Sequence, residues 1–274
     1  MPGRTIVITG ASDGIGAAAA RRLAREGERV VLVGRDPART AAVAAELGAP
    51  HHLADFAELD QVRRLAAELL DAYPRIDVLA NNAGGIMGPR SVTADGFERT
   101  LQVNHLAPFL LTHLLLPTLV AGRASVVATS SVAARAWGRI DLDDLGNERR
   151  YRPQKAYGDA KLANALHVVE LQRRYGGDGL AAVAFHPGIV ATSFAKETNH
   201  LMRLVYHTPL RRLLTITPEQ GGGYLADLAA GTPGVDWPPG GWVEQGRVAV
   251  PPPRVADTDL ARRLWDASAA LVGV

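Results

Sequence analysis

Five short runs of β-branched and aliphatic residues punctuate the chain, at positions 5–9, 30–33, 76–80, 125–129 and 180–185. None alternates with polar residues, so each predicts a strand covered on both faces. Between the runs the spacing becomes helical. Ala20, Leu23, Ala24 and Gly27 fall at i, i+3, i+4 and i+7, and Val62, Leu65, Ala66 and Leu69 repeat that spacing, as do Leu162, Ala165, Leu166 and Val169. Strands and helices in alternation predict βαβ units. Right-handed crossovers then give an α/β, doubly wound, mostly parallel sheet with its ligand crevice at the carboxyl ends of the strands.

The most apolar stretch, 106–121, is interrupted by Thr112, His113, Thr118 and two prolines, so it predicts a buried helix rather than a membrane span. Residues 231–255 are rich in Gly and Pro but hold Trp237, Trp242 and the alternating Val248 and Val250, which predicts an ordered loop with a late strand. A last amphipathic helix is expected over 257–271. With no linker or repeat, the expectation is a single domain over 1–274. The apolar run begins too early for a signal peptide, which points to a cytoplasmic protein.

The 274 residues carry 30 Lys+Arg against 28 Asp+Glu, a net charge of +2 that gives no electrostatic argument for nucleic acid. Hydrophobic residues at 47% fit a globular core and exclude disorder. The absence of cysteine excludes disulfides, zinc–thiolate sites and thiol nucleophiles.

Directly after the first run comes Gly10-Ala11-Ser12-Asp13-Gly14-Ile15-Gly16, followed by an alanine-rich helix. Glycines here permit a tight turn and close approach of backbone to a pyrophosphate, and the helix N-terminus offers free N–H groups. Position after a strand and before a helix makes this a dinucleotide signal. Asp36 lies 20 residues past Gly16, where an acid would bind the ribose of NAD. Pro37 follows it, however, and Asp-Pro marks a helix start with Asp as cap. Gly34 then takes the ribose position and Arg35 can reach a 2′-phosphate, so NADP(H) is favoured over NAD(H). Asp13 tells mildly against this by bringing a negative charge to the same region.

Tyr157 and Lys161 are four apart on a helix expected to start near Pro153, which stacks them on one face. A phenol titrates near 10, and a neighbouring ammonium favours its ionised form. Bringing it near neutrality takes roughly 4 kcal/mol of differential stabilisation. Ser130 and Ser131 end one run and Asn81-Asn82-Ala83-Gly84 another, both at the crevice edge, with Asn104 on the next helical stretch.

In this order, TGASDGIG, NNAG, Asn104, SS, YGDAK and HPG resemble the short-chain dehydrogenase/reductase family over nearly the whole chain, and imply its Rossmann fold. VNHLAPFLLT, SSVAARAWGRIDLDDL and KAYGDAKLANAL look like the branch containing the retinol dehydrogenases. The resemblance implies that Tyr157 is the general acid/base, that Lys161 holds the tyrosine and the nicotinamide ribose, and that Ser131 orients a carbonyl. It further implies that Asn104 holds a water in a relay to Lys161. Asp55 and Phe56 match an adenine-contact pair, Asn82, Ala83 and Gly84 would flank the adenosine ribose, and Pro187, Gly188, Val190 and Thr192 match a nicotinamide-side loop. The implied partner is a small apolar carbonyl or alcohol. A nucleotide-sensing protein without chemistry is the alternative. A light-driven ring reductase is disfavoured because the cysteine that family uses is absent.

Other features carry less. His51, His52, His105, His113, His167, His186, His200 and His207 show no metal-ligand spacing, so no metal is expected. Asp141, Asp143 and Asp144 suggest a solvated loop, and Trp137 either a pocket wall or a loop anchor. The segment 198–218 has three arginines and no acid, and a substrate lid is expected over about 193–218. An apolar face with a basic rim there would suit a lipid-borne substrate, an alternative to a plain packed lid. Helix pairs in this fold commonly build oligomers, but the apolar last helix can instead cap a monomer.

Overall fold

The computed structural model describes residues 3–189 and 215–274. Within them the five apolar runs form β1 (Thr5–Thr9), β2 (Arg29–Gly34), β4 (Val78–Asn81), β5 (Ser125–Thr129) and β6 (Ala181–His186). Three further strands join them: β3 (His51–Leu53), β7 (Trp242–Glu244) and β8 (Arg247–Val248). The sheet order is β3-β2-β1-β4-β5-β6-β7-β8, parallel except for the final hairpin. The winding reverses between β1 and β4, which opens a crevice at their carboxyl ends.

Both faces of the sheet are covered, as the unbroken apolar runs require. Ile6 and Ile8 face α1 (Gly14–Arg25), α2 (Pro37–Leu47) and α8 (Pro218–Ala230), while Val7 faces α3 (Leu59–Ala72), α5 (Ala107–Ala121) and α7 (Pro153–Tyr175). The expected apolar helix is therefore internal. Arg99–Ala121 is long and apolar enough to cross a membrane, yet 72% of its most apolar window is buried in the protein.

The last helix, α9 (Thr258–Val272), lies outside α5 and α7. Trp265 packs edge-on to Phe109 with ring centroids 5.1 Å apart, and Arg174 stacks on its other side at 4.8 Å. This cover leaves α7 enclosed between sheet and helix. One expectation changes: Val248 and Val250 are 61% and 76% exposed, so their alternation does not face a core. The buried late strand is β7, whose Trp242 and Val243 face opposite layers; β8 is its short antiparallel return.

Candidate active site

The crevice is built by chain packing on itself. Gly10 and Gly14 adopt left-handed backbone, with φ of 67° and 57°. A Cβ on Gly16 would lie 2.3 Å from the Gly10 carbonyl oxygen, so the first turn of α1 presses on the turn that precedes it. Across the crevice the Thr9 hydroxyl accepts from the Asn82 and Ala83 amides, each at 3.0 Å. Asn82 Nδ2 donates back to the Thr9 carbonyl at 3.0 Å. Asn82 thus clamps β4 to the glycine turn through both its backbone N–H and its side-chain amide. Ala83 lies beneath Gly10, whose Cβ would stand 2.9 Å from the Ala83 Cα.

Asp13 is the N-cap of α1, its carboxylate accepting from Gly14 N at 2.7 Å. That role explains an acid at this position, and Arg39 approaches it at 3.9 Å. The amides of Ile15 and Gly16 in the same first turn have no acceptor among the described residues, and with Ser12 beside them they fit an anion. Asp36 caps α2, accepting from Arg39 N at 3.0 Å, as its Asp-Pro context suggested. Gly34 is closed to larger residues: a Cβ there would lie 2.2 Å from Thr40 Oγ1. Beside it Arg35 is exposed, with no carboxylate paired to it among the described residues. These features fit a dinucleotide.

Asp55 and Phe56 follow β3 at the same edge. The Asp55 carboxylate accepts from Ala57 N at 2.9 Å, and the Phe56 ring is buried in the core. The second oxygen of the Asp55 carboxylate has no hydrogen-bond partner among the described residues. Pro187 and Gly188 follow β6, with Gly188 at φ 108° and close to Ile216. Val190, Thr192 and nearly all of the expected lid lie outside the described residues.

Ser131, Tyr157, Lys161 and Asn104 meet next to this crevice. The two serines divide: Ser130 Oγ donates to the Lys161 carbonyl at 2.6 Å and ties β5 to α7, while Ser131 hydrogen-bonds Tyr157. Lys161 Nζ lies 5.6 Å from the Tyr157 ring centroid and donates to the Thr129 carbonyl at 3.1 Å. Asn104 sits in a wide helical turn, Gln102–Leu106, in which Ala107 N donates to Gln102 O, five residues back. Its side chain exchanges bonds of 2.9 Å with both the N–H and the C=O of Gly85 and donates to Thr100 O. Gly84 lies between it and the lysine. A Cβ there would stand 2.4 Å from Asn104 Oδ1 and 3.1 Å from Lys161 Nζ.

Burial dominates the electrostatics of this pair. Burial pushes the Tyr157 phenol above its ordinary value, opposed only in part by Ser131. Burial also pushes the Lys161 ammonium down to about 8. In the chain without cofactor, loss of water outweighs the help that the phenol gets from its neighbours, and the Lys161 ammonium is held by the Thr129 carbonyl. Tyr157 therefore stays protonated in the chain without cofactor.

Beneath Lys161 runs a buried polar chain that spacing did not reveal. The Thr129 carbonyl also accepts from Asn164 Nδ2 at 3.3 Å, and Asn164 Oδ1 meets His105 Nδ1 at 3.3 Å. His105 Nε2 meets Ser268 Oγ on α9 at 2.9 Å. An amide oxygen only accepts, so His105 carries its proton on Nδ1 and accepts from Ser268. Asp159, two residues past Tyr157, accepts from Arg139 N, Asn147 Nδ2 and Lys155 Nζ at 2.6, 3.0 and 2.5 Å. It pins the insertion after β5 to α7. Within that insertion Asp144 accepts from the Glu148 and Arg149 amides, and Trp137 is half-exposed. No cluster of metal-ligating side chains occurs among the described residues.

Comparison with known proteins gives the class of this edge. A family model described as short chain dehydrogenase matches residues 4–202, and the chain belongs to that oxidoreductase family, which uses NAD(P)(H). A protein of Streptomyces sp. (strain C5), whose name proposes daunorubicin C-13 ketoreduction, is 46% identical over all of this chain and 94% of its own length. Retinol dehydrogenase 13 of Homo sapiens is 37% identical over 100% of this chain and 86% of its own. Among solved structures, an uncharacterised protein from Mycobacterium paratuberculosis is 35% identical with a TM-score of 0.78, covering 99% of this chain and 94% of that one. A short chain dehydrogenase from Shigella flexneri 2a, complexed with NADP, is 25% identical with a TM-score of 0.69, covering 88% and 96%.

Proposed function

We propose that this protein is a cytoplasmic NADP(H)-dependent reductase that interconverts an apolar aldehyde or ketone and its alcohol. The observation that carries the reading is Tyr157, kept protonated by burial, bonded to Ser131 and one helical turn from Lys161. A reduced nicotinamide, when bound, supplies the hydride. Ser131 and Tyr157 hold the carbonyl oxygen between two hydroxyls, and the Tyr157 O–H gives its proton to that oxygen as charge develops there. Lys161, fixed by the Thr129 carbonyl, places a positive charge beside the phenolate that remains and lowers its cost. Exposed Arg35 and the closed Gly34 support the 2′-phosphate reading.

The test is loss of reduced-nicotinamide absorbance, with NADPH and NADH in parallel, against apolar aldehydes, ketones and quinones. Faster turnover with NADPH is expected. In Tyr157→Phe that turnover should vanish while NADPH affinity holds. Full turnover in the variant would refute the assignment of Tyr157, and tight NADPH binding without turnover of any carbonyl would favour a nucleotide sensor.

A further inference from the structure

Lys161 and Asn164 stand one turn apart on α7, and both donate to the Thr129 carbonyl at the end of β5, at 3.1 and 3.3 Å. A carbonyl oxygen has two lone pairs, so these two donors fill it. The arrangement is fixed from behind. Because the Thr129 oxygen only accepts, Asn164 turns its NH2 end toward it and its Oδ1 away, where His105 Nδ1 meets that oxygen at 3.3 Å. His105 then accepts at Nε2 from the Ser268 hydroxyl, 2.9 Å away. Every proton in the chain Ser268–His105–Asn164 therefore points toward the carbonyl that Lys161 uses. All of these side chains are buried.

Two donors on one oxygen weaken each other. Each draws charge from the shared acceptor, and the NH2 end of Asn164 turns its positive side toward the ammonium. His105 adds to this, since its N–H polarises the amide to which it is bonded. Two titratable groups flank the pair, Tyr157 on α7 and His105 in the wide turn. Burial outweighs the bond to Asn164 and holds His105 at about 4, so it is a neutral donor wherever a lysine titrates. The Lys161 backbone is tied separately, its carbonyl accepting from Ser130 Oγ at 2.6 Å. What Asn164 adjusts is therefore the ammonium end of the side chain.

We propose that Asn164, oriented by His105, is a positioning residue for Lys161: it takes up half of the Thr129 carbonyl and so leaves the ammonium loosely enough held to turn to the Tyr157 phenolate. The consequence for turnover rests on the reductase reading; the hold on Lys161 does not.

The chain has three lysines, Lys155, Lys161 and Lys196, so NMR of the whole protein labelled with carbon-13 at lysine Cε reads Lys161 alone once its signal is assigned by loss in Lys161→Met. In cofactor-free wild type that signal is expected to titrate at about 8. Asn164→Leu keeps the bulk and removes the donor. It should raise the midpoint by about half to one unit, the scale of one hydrogen bond, and lower kcat with NADPH by about three- to tenfold. His105→Phe leaves Asn164 without its donor and should move the midpoint the same way by less. His105→Gln, which can donate to Asn164 and accept from Ser268, should return it to the wild-type value; this separates lost orientation from disturbed packing, and decides the matter alone if Asn164→Leu does not fold. A midpoint that stays or falls in folded Asn164→Leu, a His105→Phe shift that His105→Gln does not reverse, or a raised midpoint with full kcat would overturn the proposal. If wild type reduces no carbonyl with either nicotinamide, the reductase reading fails, and the NMR midpoints still decide whether Asn164 sets the hold on Lys161.

Discussion

Lys161 is a buried cation with one fixed acceptor, and its cost to the fold can be worked out. Burial holds its ammonium at about 8 in the folded chain against an ordinary lysine value of 10.5. At pH 7 that difference corresponds to roughly 3 kcal/mol of destabilisation. Between pH 8 and 10.5 the unfolded chain binds more protons than the folded one, so stability rises with pH and the penalty disappears. Lys161→Met keeps an unbranched side chain and removes the charge. It also removes the bond to the Thr129 carbonyl, worth about 1 kcal/mol. The cofactor-free variant should therefore be more stable than wild type by about 2 kcal/mol at pH 7, and slightly less stable at pH 10.5. Urea unfolding followed by tryptophan fluorescence at pH 7, 9 and 10.5 reads this directly. A variant less stable at pH 7, or a difference independent of pH, would refute the reasoning.

Gly34→Ala places a methyl 2.2 Å from Thr40 Oγ1, which itself donates to the Asp36 carbonyl. A loss of about 1–3 kcal/mol is expected in urea melts, partly restored by adding Thr40→Ala. Arg35→Ala should weaken NADPH about tenfold in fluorescence titrations while leaving NADH little changed, because only the former carries the 2′-phosphate. Trp265→Ala removes the indole between Phe109 and Arg174 and should lower unfolding free energy by about 3–5 kcal/mol, measured the same way. A loss below 1 kcal/mol would mean that α9 is not held by that ring.

Where neighbours in sequence are also neighbours in space, the chain was readable. The glycine turn, the Asp36 cap and the four-residue step from Tyr157 to Lys161 all depend on local spacing, and the structure places them at one sheet edge. β3 was missed because His51-His52-Leu53 is three residues long, partly exposed and pairs with β2 alone, so it needs no apolar run. Asp13 looked like a charge misplaced near a phosphate; its carboxylate faces its own helix. What the sequence did not show about Tyr157 is its burial. Spacing counts the nearby lysine but not the surrounding protein that encloses both side chains. Likewise His105, Asn164 and Ser268 come from three separate helical segments, and no periodicity relates them.

That last trio ties the surroundings of Lys161 to the final helix. The carbonyl that steadies Lys161 shares its second donor with a polar chain ending on α9, an element translated after everything it touches. Without α9, His105 would lose its hydroxyl partner and α7 the helix that covers it. The segment that holds Lys161 in place is therefore completed by the last element of the chain.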